Sequence, residues 1–328
     1  MTTRRRLLIA IGVGSITLRC PALAQPKIWR VGFFYFGSRR SAMGSGRYAA
    51  FIEGLGDLGY AEGRNIAIEL RFADGKVERL PAIADELLRW KPDVIVATGT
   101  PVYAELKRAT TTVPVVMTVT ADPVLDGFAT SVARPGKNFT GLSTLNVDLF
   151  AKQIELMKIA MPKLSRVALL WNSGNPAHLA QLKAMREIAK RTGLLTIEAS
   201  ASTAEEIERS FVSMMHGHAE AIIILPDTFF VQQFGQIAAL ALKQRLPSIY
   251  GAAEYAEAGG FMAYGRAVTL NFRGAASYVD KILKGANPAD LPIEQPMRLE
   301  LAINRRTAKS IGLAIPQELL LRADRVIE

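Results

Sequence analysis

Short apolar, β-branched runs alternate with helical patterns along nearly the whole chain, and that alternation restricts the possible folds more than any other feature. The runs fall at 29–36, 65–72, 94–98, 113–119, 166–171, 195–199, 221–225, 248–250 and 260–264. Between them, apolar residues recur at helical spacing. Tyr48, Phe51, Leu55 and Leu58 share one face, as do Leu80, Ile83, Leu87 and Leu88 after a first-turn proline, Pro81. Further helices are predicted over 149–159, 178–192, 204–215, 229–243 and 270–284. Continuous apolar strands that alternate with helices fit parallel sheets covered on both faces, with right-handed crossovers. A chain of 328 residues has room for two such units, each with its own core. The rhythm breaks at Pro135-Gly136-Lys137-Asn138, where Leu142-Ser143-Thr144 leads into a helix, and it restarts at 166. The break divides the chain near residue 144 into two similar α/β halves.

The first residues lie outside this pattern. Arg4, Arg5 and Arg6 precede an apolar run over 7–18, followed by Ala22-Leu23-Ala24 before Gln25. About a dozen apolar residues are too few to span a bilayer. A basic start, an apolar middle and a small-residue exit make residues 1–24 a secretory signal peptide, with cleavage expected after Ala24. The paired arginines before Leu7 also fit a twin-arginine signal. Cys20 leaves with this segment, and Arg19 beside it does not suit a lipoprotein site. The mature chain then has no cysteine, which suits an oxidising exported compartment. Loss of four arginines and no acid lowers the formal charge from +10 to +6. That excess is spread out, with no basic block, and does not make a nucleic-acid footprint.

The motif search finds little catalytic chemistry. No P-loop, nucleophile elbow or H-E-x-x-H is present. His216-Gly217-His218 is the one close histidine pair and lacks further metal ligands, while His178 at a helix start reads as a surface residue. Gly44-Ser45-Gly46-Arg47-Tyr48-Ala49 fits G-x-G-x-x-A and opens a helix. A dinucleotide site needs the glycines directly after a strand, and here the strand ends about eight residues earlier. A nucleotide-dependent enzyme using this loop is therefore the alternative reading. No cofactor or metal is expected.

Small polar residues gather instead at the carboxyl ends of the predicted strands. In the first half these are Gly37-Ser38, Thr98-Gly99-Thr100-Pro101 and Thr120-Ala121-Asp122-Pro123. In the second half they are Asn172-Ser173-Gly174-Asn175, Pro226-Asp227-Thr228 and Tyr250-Gly251-Ala252-Ala253-Glu254. Open parallel sheets bind ligands outside their strand carboxyl ends. Hydroxyls and helix-start N–H groups suit a carboxylate, acids suit an ammonium group, and aromatic rings suit an apolar body. The expected ligand contacts are thus Ser38, Thr98, Gly99, Thr100, Thr120, Asp122, Asn172, Asn175, Asp227, Tyr250 and Glu254. Ser38, Thr100 and Thr120 are expected to take the carboxylate, and Asp122, Asp227 or Glu254 a cation.

A longer pattern carries a family resemblance. Phe51-Ile52-Glu53-Gly54-Leu55-Gly56-Asp57-Leu58-Gly59-Tyr60, continuing through 61–71, resembles a signature of bacterial ABC-transporter substrate-binding proteins of the tryptophan/tyrosine type. Arg79-Leu80-Pro81, Asp93-Val94-Ile95-Val96-Ala97, Asp122-Pro123-Val124, the run 133–143, the run 166–172 and Leu283-Lys284-Gly285-Ala286-Asn287-Pro288 continue it in order. The match covers most of residues 28–315. It implies a type I periplasmic binding protein: α/β, two doubly wound parallel-sheet lobes joined by a three-strand hinge. Lobe 1 would be 28–143 plus 265–291 and lobe 2 144–264 plus 292–328, with the late helix packing back on lobe 1. It further implies a monomer, active in the periplasm, that closes on a small solute such as an amino acid or related carboxylate and presents it to an inner-membrane ABC permease. Phe33 to Phe36 could line an aromatic pocket or belong to strand core. A sugar-responsive regulator shares the two-lobe fold, but it would need a helix-turn-helix where the signal peptide stands.

Overall fold

A computed structural model describes residues 27–120, 122–143, 146–175, 177–295 and 299–328. The expected signal peptide lies outside them. Five strands form the first sheet: β1 (Trp29–Tyr35), β2 (Ile66–Phe72), β3 (Val94–Thr98), β4 (Val115–Thr120) and β5 (Phe139–Ser143). Their order is β2-β1-β3-β4-β5, all parallel. The second sheet contains β6 (Arg166–Trp171), β7 (Leu195–Ser200), β8 (Ala221–Ile224), β9 (Ser248–Tyr250), β10 (Met262–Gly265), β11 (Glu300–Asn304) and β12 (Arg325–Ile327). Its order is β12-β11-β10-β9-β8-β6-β7. The first five strands of each lobe therefore share one winding pattern.

Strand alternation assigns side chains to the two faces of the first sheet. Val31, Phe33 and Tyr35 point to a core formed with helices Arg47–Asp57 and Val268–Leu283. Phe34 and Phe36 point to the other core, against Leu80, Ile83 and Leu87 of Leu80–Arg89 and Tyr103 of Thr100–Ala109. Phe33, Phe34 and Tyr35 are fully buried, so they are strand core, each contributing about 2–3 kcal/mol. The second sheet is likewise covered on both faces.

Helix Val268–Leu283 is late in sequence yet lies on the first sheet. Gly54 allows this approach, since a Cβ there would stand 2.7 Å from Arg273 O and 2.9 Å from Ala276 Cβ. The chain passes between lobes after β5, after β10 and before β11. The first and third passages pair: Ser143 N donates to Glu294 O at 2.9 Å, and Glu294 N to Gly141 O at 2.9 Å. Ile293 belongs to a core of the first sheet.

The sequence reading differs at several elements. β5 was expected to be the approach to a helix, because Thr140, Gly141 and Ser143 break the apolar run; pairing with β4 makes it a strand. β11 runs antiparallel to β10, since its chain enters from the hinge rather than from a crossover helix. The expected helix over 229–243 is two helices, Thr228–Gln232 and Phe234–Lys243, broken at Gln233 (φ −104°, ψ 13°). Among the described residues no helix is long and apolar enough to cross a membrane.

Candidate functional site

The carboxyl ends of both sheets face a cavity of about 170 Å³ between the lobes, more than ten times what one water needs. The lobes approach closely at its mouth. A Cβ at Gly37 of the first lobe would stand 2.7 Å from Gln232 Nε2 of the second, and one at Gly99 would stand 3.3 Å from Thr228 Oγ1. Thr98, Gly99, Thr100, Asn172, Asn175, Asp227 and Tyr250 all line this cavity. Phe36, Phe229 and Phe272 supply apolar wall.

The first lobe presents a helix start. Gly99 has φ 105°, a conformation glycine adopts without strain, and directs the chain into Thr100–Ala109. Pro101 carries no N–H, and the N–H groups of Val102 and Tyr103 donate to Gly99 O at 2.9 and 3.1 Å, so Thr100 N and the Thr100 hydroxyl are the donors this turn can offer an anion. Behind them, Thr118 Oγ1 donates to Ala97 O at 3.2 Å and so accepts from Thr98 Oγ1 at 2.7 Å. Tyr103 braces the same strand ends: its hydroxyl donates to Val119 O at 2.8 Å, and burial pushes its pKa up to about 12.

The second lobe presents a closed polar network. Asp227 caps helix Thr228–Gln232, its Oδ1 accepting from Phe229 N at 2.8 Å and from Asn172 Nδ2 at 3.0 Å. Its Oδ2 accepts from Asn175 Nδ2 at 2.8 Å, and Tyr250 OH accepts from Asp227 N at 3.1 Å. His178 stands behind this group and is fully buried, not on the surface. Its Nδ1 accepts from Asn172 N at 2.8 Å, which leaves the proton on Nε2 to donate to Pro226 O at 3.1 Å. Burial lowers the His178 pKa, against the opposing pull of the Asp227 charge and the Pro226 carbonyl. The ring is neutral.

Four expected contacts lie off the cavity. Ser38 Oγ caps helix Arg39–Gly44 by accepting from Ser41 N at 3.1 Å. Thr120 is buried at the end of β4. Asp122 Oδ1 accepts from Val124 N and Leu125 N, each at 3.0 Å, and so fastens its own turn. Glu254 Oε1 accepts from Val268 N at 2.9 Å, while its Oε2 is buried without a hydrogen-bond partner. Ser38, Asp122 and Glu254 thus each commit an oxygen to a backbone N–H group.

The sequence reading missed Arg47, Gln181, Arg266, Asn271 and Phe272 as cavity residues. Arg47 is 3% exposed; its Nη1 donates to Tyr35 OH and its Nε is buried without a hydrogen-bond partner. Among the described residues no carboxylate forms an ion pair with it. Arg47 was visible only inside the glycine motif. The structure overturns the nucleotide reading of that motif: the six-residue helix Arg39–Gly44 separates it from β1. Gly46, at φ 71°, opens helix Arg47–Asp57 and points Arg47 at the cleft rather than cradling a pyrophosphate. Arg266 sits on the passage between β10 and helix Val268–Leu283, where burial lowers its pKa and the Glu294 charge opposes that shift. No cluster of three or more metal-ligating side chains occurs among the described residues.

Two α/β lobes with a cleft between their strand ends define the periplasmic-binding-protein fold. The family model for ABC transporter substrate binding proteins matches residues 43–327, and the chain belongs to that family. It is similar to a tyrosine-binding protein of Clostridioides difficile (strain R20291), with 26% identity over 264 residues, 80% of this chain and 75% of that protein. Its fold matches the crystal structure of a conserved domain protein from Vibrio cholerae O1 biovar El Tor, with TM-score 0.85, 26% identity and coverage of 92% of this chain and 100% of that one. It also matches an ABC domain in complex with L-Trp from Streptococcus pneumonia, with TM-score 0.84, 24% identity and the same coverage. The protein is thus a substrate-binding component of an ABC transporter.

Proposed function

We propose that this protein is the periplasmic receptor of an ABC importer, capturing a small solute that bears a carboxylate and an apolar body. Export by the peptide over 1–24 would place the mature chain, as a monomer, where it can pass its cargo to an inner-membrane permease. The observation that carries the reading is the interlobe cavity itself, with a buried, acid-free guanidinium at Arg47 beside the phenyl groups of Phe36, Phe229 and Phe272. A relative named for tyrosine binding and a fold neighbour holding L-Trp support the size and apolar character of the solute. Thr98, Gly99, Thr100, Asn172, Asn175, Asp227 and Tyr250 would touch the solute. Closure needs no chemistry: ligand that binds the closed state better shifts the open–closed equilibrium. Titration of residues 25–328 with amino acids and aromatic carboxylates by calorimetry tests this. One saturable site per chain is expected, and absence of binding heat across both classes sinks the reading.

A further inference from the structure

The cleft offers a ligand more cationic than anionic partners. Two guanidinium groups line it, Arg47 and Arg266, and neither forms an ion pair among the described residues. Asp227 is the one carboxylate among the described lining residues, and it is already engaged. Three donors converge on its two oxygens, from Asn172, Asn175 and Phe229, and His178 Nε2 lies 3.6 Å away. Its side chain is 6% exposed. Asn172 Oδ1 and Asn175 Oδ1 are taken by the N–H groups of Gly174 and Ala177. His178 is neutral, so the lining carries a net charge of +1 from two arginines and one aspartate.

An α-amino acid brings an ammonium with three donors that needs desolvated acceptors, preferably a carboxylate. Gln181 Oε1 is an acceptor on the cavity lining, on a side chain 8% exposed and without a hydrogen-bond partner. It is a neutral amide oxygen that matches a neutral hydroxyl better than a charged ammonium. We propose that the solute is an anion without an ammonium group: an aryl-alkyl carboxylate whose charge meets Arg47 and Arg266. Its ring would pack on the phenyl walls, and a ring hydroxyl would donate to Gln181 Oε1. The inference rests on the receptor reading above and narrows its ligand.

The test is an isosteric pair. Tyrosine and 3-(4-hydroxyphenyl)propanoate differ only in the ammonium group, and each is titrated into mature protein at pH 7 by calorimetry. The acid is expected to bind at least about tenfold more tightly, the scale of one charged-group mismatch. Equal or tighter binding of tyrosine overturns the proposal, and so does failure of both to bind. In that last case, heat from any other small solute would leave the receptor reading standing, whereas silence from the whole panel would remove both. Arg47→Met is expected to weaken the acid at least about tenfold, and unchanged affinity would again overturn the proposal. Should that variant not fold, Arg266→Met provides the same comparison from the hinge.

Discussion

Replacement of Asp227 by alanine examines whether the second-lobe network is structural. Alanine would leave three buried donors without acceptors: Asn172 Nδ2, Asn175 Nδ2 and Phe229 N. An orphaned buried donor costs about 1–3 kcal/mol, and loss of an aspartate helix cap about 1 kcal/mol. Asn172 and Asn175 border the cavity, so water can satisfy part of that demand. The expected loss is therefore about 3–5 kcal/mol rather than the full sum. At about 2–4 °C per kcal/mol for units of this size, the transition of the second lobe should drop by roughly 6–20 °C. Thermal and urea unfolding of the mature protein, followed by circular dichroism, would read it. Asp227→Asn keeps one acceptor oxygen but sets an amide N–H₂ against Asn175 Nδ2, so it should lose about half as much. A loss below about 1 kcal/mol for alanine, or equal losses for both variants, would refute the reasoning.

His178 has a folded pKa below 6.5 because of burial. Above pH 6.5 neither state holds the proton; as pH falls below 6.5 the unfolded chain takes it up first. Stability should then fall by up to about 1.4 kcal/mol per pH unit, and His178→Gln should remove that part of the slope in urea melts at pH 7.5 and 5. Asp126 has the opposite sign. Burial first, then the Asp122 charge, against Lys107, raises its pKa to about 6, so its charged form is penalised in the folded state near pH 7. Asp126→Asn should add about 1 kcal/mol at pH 7, discounted for its partial exposure, and nothing below pH 4; equal effects at both pH values would count against the assignment. Gly265 ends β10 with its Cα against the Gly251 backbone, where a Cβ would lie 1.8 Å from Gly251 O. Gly265→Ala should therefore displace the hinge and cost at least about 3 kcal/mol, and a variant with the parental Tm would show that the contact yields freely.

Much of the architecture is legible in local pattern. Apolar runs such as 94–98 and 221–225, separated by helices with one greasy face, can bury themselves only in covered parallel sheets, so class, lobe number and cleft location follow from periodicity. β5 and β11 escaped because their strand character comes from a neighbour rather than from their own composition. The same division holds at the site. Thr98, Gly99, Thr100, Asn172, Asn175, Asp227 and Tyr250 were readable as small polar residues after strands, and they do line the cavity. Ser38, Asp122 and Glu254 have the same local character, yet each is held by a nearby backbone N–H. Which oxygen a helix start captures is a matter of a few tenths of an ångström and leaves no sequence mark. Arg47, Arg266 and Gln181 reach the cavity from positions with no strand-end signature. The amino-acid order alone thus determined the layers and where a ligand could enter, because burial follows period. The charge of the cleft was decided only in three dimensions, because it depends on which ionic groups find partners when distant segments meet.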